Sequence, residues 1–217
     1  ASIYAGQIPL ILKINSSNSL SRNSEAPTQA LTGSVSEAVR LGCSAIGFTI
    51  YPGSDDSLNM ISEIQELAAE AKSNGLAVVI WSYPRGGNIS KEGETAIDIV
   101  SYAAHMAALI GAHIIKVKPP TNYLENSEAK KSYVSNNIPI STLSERIKHV
   151  VESCFQGRRI IIFSGGSSKN IDGLLNEIRE IHLGGGYGSI IGRNSFQRPR
   201  NEALKLLSEI ISIYKGK

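Results

Sequence analysis

Lys116 and Lys118 stand two residues apart in the run Ile-Ile-Lys-Val-Lys at 114–118. Side chains two apart in a strand share a face, so both amines point the same way. Burying an unpaired ammonium is costly, and two lysines on one face of a covered strand call for a reason. One reading is that the strand ends early and both amines reach solvent. The other is chemical: an amine in partly apolar surroundings is partly neutral near neutral pH and attacks a carbonyl to form an imine. A neighbouring ammonium pushes its pKa down further. Lys116, the deeper of the two along the strand, is the preferred nucleophile, and Lys118 is the second candidate.

Trp81 and Tyr83 form a similar pair, followed by Pro84 and Arg85. A tyrosine beside an imine-forming lysine can shuttle protons, and a cation such as Arg85 eases its ionisation. Tyr83 packed on Trp81 is the equally weighted alternative. Two later segments suit an anion. Ser164-Gly165-Gly166 precedes a helix expected near Asn170, and Gly192-Arg193-Asn194 follows the last apolar run. Glycines let backbone N–H groups approach an anion, a helix N-terminus adds favourable partial charge, and a guanidinium suits phosphate. Two ordinary turns remain the alternative. Lys13, in Leu12-Lys13-Ile14-Asn15, is a further polar candidate.

Other chemistries find little support. His105, His113, His149 and His182 show no metal-ligand spacing, so no metal is expected. No GxSxG is present to suggest a serine hydrolase. Cys43 and Cys154 are far apart and neither has a histidine close by, which suits packed, reduced thiols in a cytoplasmic protein. The net charge of +3 is too slight to argue for nucleic acid or a membrane surface. No apolar run approaches the roughly 20 residues of a membrane span, and the first ten residues lack a secretory pattern.

These candidates must be positioned by alternating elements. Short β-branched runs at 8–14, 45–50, 77–81, 114–117, 159–163 and 189–191 read as strands. Stretches with helical period lie at 35–42, 58–75, 95–111, 141–154, 171–182 and 201–214. The continuous apolar character of the strands predicts a parallel sheet with both faces covered. Six strand–helix units in 217 residues, 41% of them hydrophobic, make one α/β domain over 1–217. The longest irregular stretch, 119–139, reads as a functional loop. Either an open doubly wound sheet or an incomplete eight-stranded barrel fits, and no GxGxxG follows the first strand to favour the former. In both, the working residues lie at the carboxyl ends of strands, where all the candidates fall.

In these residues the chain resembles the archaeal-type class I fructose-bisphosphate aldolases, which occur in bacteria and archaea. The resemblance is carried by Leu12-Lys13-Ile14-Asn15, Gly47-Phe-Thr-Ile-Tyr51 with Gly53-Ser54, Trp81-Ser-Tyr-Pro-Arg85, Gly111-Ala-His-Ile-Ile-Lys116, Ser164-Gly-Gly166 and Gly192-Arg-Asn194. It spans nearly the whole chain from about Ile8. It implies a (β/α)8 TIM barrel, an imine on Lys116, proton transfer by Tyr83, and a pocket wall at Trp81. It further implies a sugar-phosphate substrate held at Ser164, Gly165, Gly166, Gly192 and Arg193, no cofactor, and a homo-oligomer.

The implied reaction is reversible cleavage of fructose 1,6-bisphosphate in glycolysis or gluconeogenesis. Another phosphorylated ketose, or a non-catalytic phosphosugar-binding barrel, is the alternative. The family's first two strands, with an Asp-His-Gly type motif, have no counterpart. Strands 3–8 are therefore expected here and the first two βα units elsewhere.

Overall fold

The computed structural model of the chain describes residues 6–18, 20, 27–164 and 170–216. The first strand, β1 (Ile11–Lys13), is followed by a small antiparallel ribbon of β2 (Asn15–Ser16) and β3 (Ala30–Leu31), then by helix α1 (Val35–Arg40). Strand–helix units follow: β4 (Ala45–Ile50) with α2 (Ser57–Ser73), β5 (Ala77–Ser82) with α3 (Ile97–Ile110), and β6 (Ile114–Val117) with α4 (Ser127–Ser135) and α5 (Leu143–Ser153). The last two are β7 (Ile160–Ser164) with α6 (Ile171–Leu183), and β8 (Gly188–Ile190) with α7 (Arg193–Phe196) and α8 (Arg200–Tyr214).

The main sheet runs β1-β4-β5-β6-β7-β8, every neighbouring pair parallel. Spatial order follows chain order with no reversal, which excludes the doubly wound alternative, whose sheet turns back at a switch point. Helices α2, α3, α5 and α6 pack in succession, each against the next. This is the arrangement of a curled, barrel-like sheet with its helices outside.

The core lies between sheet and helices. Ile46, Phe48 and Ile50 of β4, Val78 and Ile80 of β5, Ile115 and Val117 of β6, and Ile161 and Phe163 of β7 meet Ile64 and Ala68 of α2, Val100 and Ala104 of α3, and Ile147 and Val150 of α5. Full burial of each large side chain contributes about 1.5–3 kcal/mol. Local signals set the helix ends. Ser34 with Glu37 and Thr142 with Glu145 form capping boxes, and Gly111 closes α3 at φ 105°, a conformation costly for any residue with a Cβ.

Two expectations need correction. The stretch 119–139 is not wholly irregular, because α4 lies within it, capped by Asn126, which accepts from the N–H groups of Glu128 and Ala129. None of its residues is buried, so it carries no apolar stripe to betray it. The inner face of the sheet is also only partly covered: Val79 and Thr49 are buried there, but Ile11 and Ile160 on the same face are 47% and 40% exposed. The packed helices line the outer face, and β1 and β8 each pair with one neighbour, so among the described residues the sheet does not close over its inner face. The first strand is shorter than 8–14, and β5, β7 and β8 shift by one residue at their ends. No described helix is long and apolar enough to cross a membrane.

Candidate active site

Alternation along β5 decides which side chains face inward. Ser82 Oγ donates to the carbonyl of Ala103 in α3 at 2.7 Å, so Ser82 looks outward and its neighbours Trp81 and Tyr83 look inward. Register then lays a row across the inner face: Thr49 pairs with Trp81, Trp81 with Lys116, Lys116 with Ile162, and Ile162 with Gly188. The Trp81 indole lies over Gly47, where an added Cβ would fall 2.8 Å from its Cη2. Glycine at this inner position is what lets the tryptophan lie against β4.

Lys116 is 8% exposed, and its Nζ donates to the Tyr83 hydroxyl at 2.8 Å. Burial lowers the lysine's pKa below the ordinary value. Burial raises that of Tyr83, opposed by the Arg85 guanidinium, which lies 5.3 Å from the ring centroid. The two shifts favour a neutral amine beside a neutral phenol. Such a pair can attack a carbonyl and exchange a proton with what forms.

Lys118 stands apart from this contact. Its Nζ donates to Glu94 Oε2 at 2.9 Å, and Arg85 Nε lies 3.8 Å from the same oxygen. The ends of β5 and β6 are further tied by their loops. Thr121 N–H donates to the Thr95 carbonyl at 2.7 Å, and Ile97 N–H to that of Tyr123 at 3.0 Å. Buried Asp98 accepts from the N–H groups of Glu125 and Asn126, and Glu125 accepts from Ser90 through both N–H and Oγ.

Lys13 is at the inner face but on β1, separated from β5 by β4. Its amine, lowered by burial, donates to Asn15 Oδ1 at 3.1 Å and to Gln29 Oε1 at 3.3 Å. Asn15 itself bridges Thr49, accepting from its N–H at 2.8 Å and donating to its carbonyl at 2.9 Å. The side chain thus continues the ladder where β1 has ended. Gln29 Nε2 donates to the Tyr51 hydroxyl at 2.9 Å.

Ser164 ends β7, one strand beyond Lys116, with its Oγ 3.5 Å from the Val117 carbonyl. Gly192 stands at the N-cap of α7, whose first residue is the exposed Arg193. Gly165 and Gly166 lie outside the described residues. The structure thus joins Lys116, Tyr83 and Trp81 directly and brings Lys118 and Arg85 together at Glu94. Ser164 and Arg193 fall on the strand ends that follow, and Lys13 belongs to a separate polar group. Glu94, Asp98 and the Asn15 bridge escaped sequence reading, because each has a partner on another strand end or loop, 24, 27 and 34 residues away respectively. The thiol of buried Cys154 is pushed up to about 11, and Cys43 is half-buried. Among the described residues, no three His, Cys, Asp or Glu side chains group as a metal site.

A family model described as DeoC/LacD family aldolase matches residues 1–198. The chain is 35% identical over 216 residues to a protein of Thermoproteus tenax named fructose-bisphosphate aldolase class 1, covering 99% of this chain and 71% of that protein. It is 32% identical over 228 residues to the probable fructose-bisphosphate aldolase class 1 of Chlamydia muridarum, covering 97% of this chain and 63% of that protein. The chain therefore spans between three fifths and three quarters of these relatives. Among solved structures, an archaeal fructose 1,6-bisphosphate aldolase superposes with a TM-score of 0.80 at 31% identity, over 100% of this chain and 75% of that one. Another, an archaeal fructose-1,6-bisphosphate aldolase with its catalytic lysine covalently bound to a carbinolamine intermediate, gives 0.79 at 30% identity, over 98% of this chain and 74% of that one.

Proposed function

The chain belongs to the DeoC/LacD family of aldolases, and from that membership we propose that it performs the reversible, Schiff-base cleavage of fructose 1,6-bisphosphate. The observation that carries the reading is the buried Lys116 amine donating to the Tyr83 hydroxyl at 2.8 Å on the inner face of the sheet. Relatives named fructose-bisphosphate aldolase class 1, and a solved aldolase whose catalytic lysine carries a carbinolamine intermediate, support it.

Lys116 attacks the ketone carbon to give a carbinolamine, and loss of water leaves an iminium. A base takes the C4 hydroxyl proton as the iminium draws the electrons of the breaking C3–C4 bond, releasing glyceraldehyde 3-phosphate and leaving an enamine. Tyr83 donates the proton that converts the enamine back to an iminium, and hydrolysis frees dihydroxyacetone phosphate. Trp81 walls the pocket. Ser164, Gly165, Gly166, Gly192 and Arg193 hold the phosphate and so fix the carbonyl against the amine.

The domain, 1–217, supplies six of eight barrel strands in this reading, counted as strands 3–8. The exposure of Ile11 and Ile160 on the inner face supports two further strands covering it. We place the working enzyme in the cytoplasm as a homo-oligomer. Assay of fructose 1,6-bisphosphate cleavage against a panel of ketose phosphates, with Lys116→Met as control, tests the reading. A preference for another ketose phosphate, with activity still lost in K116M, keeps the imine and changes the substrate. Cleavage undiminished in K116M removes the mechanism.

A further inference from the structure

Sheet pairing between β5 and β6 ends at Trp81 and Lys116. Tyr83 and Lys118 therefore lie beyond the last β5–β6 pair: Tyr83 N–H is held to the Ile50 carbonyl of β4 at 3.1 Å, but no ladder pair ties Tyr83 to β6. Glu94 stands at that gap. It sits in the 3₁₀ turn Gly93–Thr95 ahead of α3, with its side chain 12% exposed. Its Oε2 takes Lys118 Nζ at 2.9 Å and Arg85 Nε at 3.8 Å, while Oε1 takes Lys91 Nζ at 2.8 Å. Arg85 is two residues past Tyr83, and Lys118 is two residues past Lys116. One carboxylate oxygen thus joins the chain beyond the phenol to the chain beyond the amine.

We propose that Glu94 is a positioning residue for the aldol chemistry, cross-linking the ends of β5 and β6 so that Tyr83 stays in reach of Lys116. The inference rests on the aldolase reading above. Glu94 stays ionised as the bridging anion. Burial pushes its carboxyl up, but hydrogen bonds and charges from Lys91 and Lys118 outweigh this and hold it below the usual carboxylate range. Its turn is fixed from the other side by Glu125, which packs on Gly93 so closely that a Cβ there would fall 2.6 Å from its carboxyl carbon. The carboxylate is presented to both cations by a braced backbone.

The test uses the intact protein with fructose 1,6-bisphosphate. Glu94→Gln is expected to lower kcat by about 10- to 100-fold with KM changed less than about threefold, since misplacing reacting groups by an ångström has costs of this order. Glu94→Asp is expected to recover part of the loss. In an Arg85→Gln/Lys118→Gln background, E94Q is expected to add less than about threefold, because partners in one network are not additive. An unchanged kcat in E94Q, a change confined to KM, or an undiminished loss in that background would overturn the role. If E94Q does not fold, the same comparison is made with E94D, and a full kcat there overturns it equally. Absence of any borohydride-trapped adduct in the unsubstituted protein is a different result, since it removes the aldolase reading itself.

Discussion

The Lys116 amine donates to Tyr83 at 2.8 Å, although its ladder partner in β5 is Trp81. The bond runs diagonally, one inward-facing residue further toward the strand end. Trp81 and Lys116 are thus backbone neighbours, while the Tyr83 ring centroid lies 5.4 Å from the amine. Burial desolvates the lysine and the phenol gives its nitrogen a polar partner.

Tyr83→Phe removes that partner and leaves the ring. Cleavage by the variant is expected to fall about 100- to 10,000-fold, the range typical for loss of a proton-transfer group. Borohydride is still expected to trap an adduct, because Lys116 is untouched. Steady-state rates beside intact mass after reduction check both halves, and full activity in the variant contradicts the assignment.

Burial lowers the Lys116 pKa, so the neutral amine needed for attack is present at lower pH than for an exposed lysine. Imine formation is expected to rise with pH through an apparent pKa below the ordinary lysine value. Stability carries the same sign. Between the lowered folded pKa and the ordinary unfolded one, the unfolded chain binds more protons, so stability rises with pH across that window. Lys116→Met should lose this dependence and match or exceed the unsubstituted protein in Tm at neutral pH.

How much of this was legible in sequence depended on how locally each feature is encoded. The bounds of β4 and β6 follow directly from runs such as Ala-Ile-Gly-Phe-Thr-Ile, because every residue of β4 is buried and the apolar run has no gaps. Helix α3 ends at Gly111 for a reason carried by that one residue. The pairing of Lys116 with Tyr83 was legible in part, since alternation puts Trp81 with Tyr83 and Lys116 with Lys118, but only the register of β5 on β6 turns both pairs to one face. Glu94 was not, because its partners Arg85 and Lys118 belong to two different strand ends that only the fold brings together. Helix α4 was missed because it buries nothing.

Gly47 is where the tryptophan needs space. Gly47→Ala forces Trp81 off β4, at a cost of about 1–3 kcal/mol for overpacking. Trp81 is the sole tryptophan, so its intrinsic fluorescence reports the displacement directly. Unchanged emission together with unchanged Tm would contradict the packing described.

Asp98 holds the loop after β6 by accepting from two backbone N–H groups. Asp98→Ala leaves both without that partner and is expected to destabilise the fold by roughly 1–3 kcal/mol. A urea unfolding curve measures this. A midpoint that does not move contradicts the bracing role.

The central claim is that the Lys116 amine forms the imine. The most direct measurement is peptide mapping by mass after borohydride reduction of the intact protein with fructose 1,6-bisphosphate or dihydroxyacetone phosphate. The account predicts one adduct, on the peptide containing Lys116, and none in K116M. An adduct on a peptide bearing Lys13 or another lysine, or one that persists in K116M, would contradict it.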